Sequence, residues 1–101
     1  MARVIASFTI IPLGTATPSV SRYVANVLNV FDSLKLKYQL TPMCTIIEGE
    51  EEEIFKAIVE IKKKLFEMGL KRIVYSLNVD ERIDKPLTMS GKIESVQKHR
   101  R

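Results

Sequence analysis

Glu48 has the most chemistry to offer in this chain. It follows the apolar run Cys44-Thr45-Ile46-Ile47 and precedes Gly49 and the consecutive glutamates Glu50 to Glu53. Those four glutamates suit the first turn of a helix, where unpaired N–H groups and the helix dipole favour negative charge. Glu48 is set apart from them, at the expected end of a strand before a glycine turn. There it either holds a cationic or amino-bearing ligand or is a solvated strand-end charge. Small polar side chains recur at alternate positions of two other segments, Ser7 and Thr9 near the start and Ser76 and Asn78 near residue 80. A few such groups in an apolar setting can orient a small ligand.

Other chemistries lack their residues. The single histidine, His99, is in the tail, and the single cysteine, Cys44, cannot build a zinc site. No base accompanies Cys44 or the serines, so no nucleophile is expected to be activated. Gly14 and Gly49 are isolated turn glycines without a phosphate-loop pattern. Catalysis by Glu48 with Asp80 has no support in their spacing. No catalytic residues, metal or separate cofactor are therefore expected.

The elements that must position these groups are legible from periodicity. Val4 to Ile11 alternates as a strand, with Val4, Ala6, Phe8 and Ile10 on one face and Ile5, Ser7, Thr9 and Ile11 on the other. A helix is expected from about Thr17-Pro18-Ser19, through the stripe Val20, Val24, Val27, Leu28, Phe31 and Leu34. Lys37 to Leu40 and Met43 to Glu48 read as strands, with Thr41-Pro42 as the junction that proline demands. A second helix from Glu51 to Met68 carries Ile54, Ile58, Ile61, Leu65 and Met68, and stops at Gly69. Lys62 to Lys64 complement its C-terminal dipole. Arg72 to Asp80 is the last strand, and Leu87 to Val96 adds an extended or short helical piece.

The order β-α-β-β-α-β, with one apolar stripe per helix, predicts an α+β, ferredoxin-like sandwich: a four-stranded antiparallel sheet with two helices on one face. The second face then collects Ser7, Thr9, Ser76 and Asn78 among Ile5, Ile11 and Val74. It suits either another subunit's sheet or a small ligand enclosed between sheets. RNA-recognition modules share this order but stack bases on open-face aromatics. Here Phe8 and Tyr75 have the helix-side parity, which disfavours nucleic acid.

Bulk properties agree with one ordinary domain. The chain has 101 residues, 46% hydrophobic and 28% charged, with a net charge of +4. Lys98, Arg100 and Arg101 supply three of the 16 basic residues against 12 acidic ones, so the body is nearly neutral. The expected division is a domain over 1–97 and a basic tail over 98–101. One cysteine excludes an intrachain disulfide, and the N-terminal apolar run is too short to span a bilayer. A cytoplasmic protein without a membrane partner is the expectation.

Several segments together resemble the small thiamine-binding proteins related to YkoF. They are Ile11-Pro12-Leu13-Gly14-Thr15, Ser19-Val20-Ser21-Arg22-Tyr23-Val24-Ala25, Tyr38-Gln39-Leu40-Thr41-Pro42-Met43-Cys44-Thr45, Glu48-Gly49-Glu50 and Val79-Asp80-Glu81-Arg82-Ile83-Asp84-Lys85. The resemblance covers nearly the whole chain in order, and departs from the family's Pro-Met-Gly-Thr by placing Cys44 at the glycine. It implies non-catalytic binding of thiamine or its hydroxymethylpyrimidine portion in a pocket at the sheet and oligomer interface. It also implies sheet-to-sheet dimerisation and commonly a homotetramer. On that basis Glu48 is assigned to the amine or cation, and Ser7, Thr9, Thr45 and Asn78 to the ring edges. Thr15 and Ser21 are further candidates. The rival expectation is a regulatory or interaction module whose open face only oligomerises or binds another small molecule.

Overall fold

A computed structural model describes residues 3–100, arranged as β1 (Arg3–Leu13), α1 (Ser21–Ser33), β2 (Lys37–Leu40), β3 (Thr45–Glu50), α2 (Glu51–Glu67), β4 (Arg72–Asp80) and α3 (Met89–Lys98). Arg101, the end of the basic tail, lies outside the described residues. The four strands form one sheet in the order β2-β3-β1-β4, with every neighbouring pair antiparallel. This is the α+β, ferredoxin-like arrangement, with a third helix added.

Alternation along β1 decides which residues enter the core. Val4, Ala6 and Phe8 are buried beneath α1 and α2, together with Val27, Val30, Phe31, Ile54, Ala57, Ile58, Ile61 and Leu65. Phe8 meets Phe31 edge to face, ring centroids 6.4 Å apart at 76°. Such pairs add about 0.5–1.5 kcal/mol beyond the area they bury.

Four assignments differ from the sequence reading. α1 begins at Ser21 rather than near Thr17. The Thr15 hydroxyl donates to the Thr17 carbonyl at 2.6 Å, and the Thr17 hydroxyl accepts from the Ser19 N–H at 3.2 Å. These side-chain bonds close a turn that competes with helix. β3 runs from Thr45 to Glu50 rather than from Met43 to Glu48, because residues 41–44 form the hairpin loop. Gly49 is consequently a strand residue and not a turn. Its missing side chain matters because an added Cβ would approach Leu36 Cδ2 at 3.1 Å. Gly69 does end α2 with a left-handed φ of 101°, a conformation that costs glycine little.

The fourth difference is α3, a full helix capped by the Thr88 hydroxyl, which accepts from the Gly91 N–H at 3.0 Å. Met89 at its start and Leu87 before it pack on Ile5 and Ile46 of the sheet face opposite α1 and α2, while the rest of the helix is exposed. Lys92 adds an ion pair with Asp80. The second face is therefore covered only at that end.

Candidate functional site

The two neighbours of β1 are staggered along it, and that stagger creates a cleft. β3 pairs with Arg3 to Phe8, whereas β4 pairs with Ile5 to Leu13. Past Phe8, the β3 side of β1 has no strand beside it. The start of α1 and the loop over residues 41–44 wall off the vacated space, a cleft of about 660 Å³. That volume is in the range of small-molecule sites.

The cleft is lined mainly by apolar side chains, among them Ile10, Val24 and Leu28, with Leu40 and Met43 exposed at its rim. No lining residue carries a charge; Thr9, Ser21, Thr41, Cys44 and Thr45 bring the polar side chains. Thr41 is committed to the loop: its hydroxyl donates to the Cys44 carbonyl at 2.8 Å and accepts from the Cys44 N–H at 3.1 Å. The Cys44 thiol sits 3.6 Å from the same hydroxyl, half-buried in the wall.

Thr45 is the exception among these groups. It is only 4% exposed, yet its hydroxyl takes part in no side-chain hydrogen bond among the described residues. It opposes Phe8 in the ladder, so its side chain is on the helix side of the sheet and faces the cleft.

The sequence candidates thus divide between two faces. Thr9, Ser21 and Thr45 meet at the cleft. Ser7 and Asn78 oppose each other on the second face, with Asn78 Nδ2 donating to Ser7 Oγ at 3.5 Å. Thr15 is exposed in the turn before α1 and is spent on Thr17. Glu48 is also on the second face, opposite Ile5 and Lys37, and is 4% exposed. Its Oε1 accepts from the Met89 N–H at 2.6 Å, while Oε2 lies 3.5 Å from Arg3 and 3.7 Å from Lys37. Its carboxylate is fully occupied by the protein. Thr41 is not among the residues the sequence marks for the site, its only signal being the Thr-Pro junction, whereas Cys44 stands out there as the departure from the family's Pro-Met-Gly-Thr.

The enclosed volume therefore lies at the edge of β1 beyond the end of β3, bordered by Phe8 and Ile10 of the helix side and by Thr9 and Ile11 of the other parity. The second face offers an exposed strip instead, with Ile11 and Val74 half-exposed beside Ser7, Thr9, Ser76 and Asn78. Among the described residues, no helix is long and apolar enough to cross a membrane.

Comparison with known proteins gives a consistent result. Residues 6–97 match the family described as thiamine-binding protein. The chain is 50% identical over 99 residues to the UPF0045 protein YqgV of Bacillus subtilis, covering 94% of this chain and 95% of that one. The solved structure of MJ1052 from Methanocaldococcus jannaschii, 38% identical, superposes with a TM-score of 0.88 over 96% of this chain and 98% of its own. A candidate thiamine biosynthesis/salvage protein from Thermotoga maritima, TM0486, shares the fold with a TM-score of 0.77 at 24% identity, covering 93% of this chain and 98% of that one.

Proposed function

The chain belongs to the thiamine-binding protein family, and from that premise we propose that it binds the pyrimidine portion of thiamine, without turnover, in the cleft between α1 and the residue 41–44 loop. The observation that carries this reading is Thr45. The residue is 4% exposed, and its hydroxyl, at the cleft wall, has no side-chain partner among the described residues, so a ligand that hydrogen-bonds to it gains about 0.5–1.5 kcal/mol. An aminopyrimidine suits such a wall: its ring faces are apolar enough for Ile10, Val24 and Leu28, and its edge supplies both donors and acceptors. Ser21, at the first position of α1, adds a second hydroxyl to the same cleft.

The absence of charge in the lining bears on which part of thiamine enters. A thiazolium cation taken into this cleft would lose hydration without meeting a carboxylate, which is unfavourable. The reading therefore seats the neutral pyrimidine inside and leaves the thiazolium at the exposed rim of Leu40 and Met43. Free hydroxymethylpyrimidine and whole thiamine then bind at one site. Glu48 enters this reading as a structural residue. The exposed strip of the second face is assigned to association with another copy of the chain.

Calorimetry with hydroxymethylpyrimidine, thiamine and unrelated amines tests the proposal. Saturable heat for the first two, one ligand per chain, is expected, and mass analysis should recover the ligand unchanged. No heat for either compound, with a folded protein, would overturn the binding reading; a chemically altered ligand would make the protein an enzyme.

A further inference from the structure

α1 starts without anything to answer its dipole. Val20 holds the N-cap position with no side-chain cap bond, and the first turn carries no acidic residue. The N–H groups of Tyr23 and Val24 both donate to the Val20 carbonyl, while those of Ser21 and Arg22 have no protein acceptor among the described residues. The other helices differ. Glu51 to Glu53 fill the first turn of α2, and α3 has the Thr88 cap and the Glu48 carboxylate. Arg22 sharpens the contrast by placing a cation where the dipole disfavours one. It is exposed, its guanidinium lies over the Tyr23 ring at 5.5 Å, and it forms no ion pair among the described residues. An anion held at this turn would satisfy the free N–H groups, the dipole and Arg22 together.

That helix start opens on the cleft, which Val20 and Ser21 line together with Thr45. Val20 and Ser21 are exposed, as are Leu40 and Met43, so all four border its mouth. A separate sign of a ligand comes from the wall: Thr45, 4% exposed, turns a hydroxyl without a side-chain partner into the same space. Resting on the reading that a pyrimidine fills the cleft, we propose that the ligand this chain selects is anionic, a phosphate monoester of hydroxymethylpyrimidine. The ring lies against Ile10, Val24 and Leu28 with one edge on Thr45. The phosphate sits at the mouth, accepting from the Ser21 and Arg22 N–H groups and the Ser21 hydroxyl, with the Arg22 guanidinium balancing its charge. The uncharged lining keeps the phosphate out of the interior, where it would lose hydration without a partner. A thiazolium at the same mouth meets a positive dipole end and Arg22, which makes thiamine the weaker ligand.

Calorimetry of the full chain at low salt, with the phosphate monoester, the free alcohol and thiamine, tests the assignment. The ester should bind at least about tenfold more tightly than the alcohol, because hydrogen bonds to a charged group are worth more than neutral ones. Added salt should shrink that ratio. Val20→Asp brings the protein's own carboxylate to the start of α1. Its thermal midpoint should hold or rise, while the ester-to-alcohol ratio falls toward one. Arg22→Gln should lower the ratio by about threefold or more. An alcohol that binds as tightly as the ester, or a ratio that survives both substitutions, would overturn the anion site and leave the cleft reading standing. If neither compound binds to the folded protein, both fall.

Discussion

Glu48 Oε1 accepts a hydrogen bond from the Met89 backbone N–H at 2.6 Å, fastening the start of α3 to the middle of the sheet. The carboxylate answers the exposed N–H groups and positive dipole end of that helix, while Arg3 and Lys37 balance its charge. Glu48→Ala should therefore lower stability by about 1.5–3 kcal/mol, the range for a hydrogen bond to a charged group. Urea unfolding measures the loss, and amide exchange should show it concentrated in α3. Glu48→Gln keeps an acceptor and should leave the affinity for hydroxymethylpyrimidine unchanged. A marked drop would move the ligand to the second face.

Thr45→Val separates binding from folding. The substitution keeps the branched shape and removes only a hydroxyl that has no protein partner. Its thermal midpoint should match or exceed the wild type. Affinity for hydroxymethylpyrimidine should fall by about 0.5–1.5 kcal/mol, the worth of one hydrogen bond. Equal affinities in calorimetry would remove Thr45 from the site.

Cys44 offers a chemical probe of the same cleft. Its thiol is half-buried in the wall, so alkylation should proceed slowly and should slow further in the presence of bound ligand. Mass spectrometry over time gives both rates. Cys44→Gly should widen the cleft and cost about 0.5–1 kcal/mol of stability through added backbone freedom in the unfolded chain. Identical alkylation rates with and without saturating ligand would place the ligand elsewhere.

Asp84 should titrate well below the usual aspartate range. The Arg82 side chain, with Nε 2.6 Å from Oδ1, donates hydrogen bonds to the carboxylate and lowers its pKa from 3.8 to about 2. The folded value lies below the unfolded one. Any stabilisation from this pair is thus present above the unfolded pKa and is lost as pH falls through about 2. Carboxyl NMR titration should find the low midpoint, and Arg82→Ala should return it toward 3.8. The pair is exposed, so added salt should narrow the difference.

Alternation and helical spacing were enough to read the sheet, the two covering helices and the side of β1 that enters the core. Those signals are local, because each element must bury one face whatever its neighbours do. Val4, Ala6 and Phe8 against Ser7 and Thr9 therefore read correctly. The family resemblance likewise rests on short segments and holds across residues 6–97.

Tertiary structure decided which polar residues share a place. Thr45 and Glu48 are three residues apart on one strand, so the pleat alone sends them to opposite faces, but what each meets there, a cleft or the start of α3, is set by other segments. The cleft exists because β3 stops along β1 where β4 continues, a register relation between residues 37 to 75 positions apart in sequence. Similarly, Glu48 looked like a strand-end charge only until α3 folded back over it. No spacing rule carries these facts: they depend on long-range pairing and on the packing of an independent helix, and a side chain's partners are fixed only when those are.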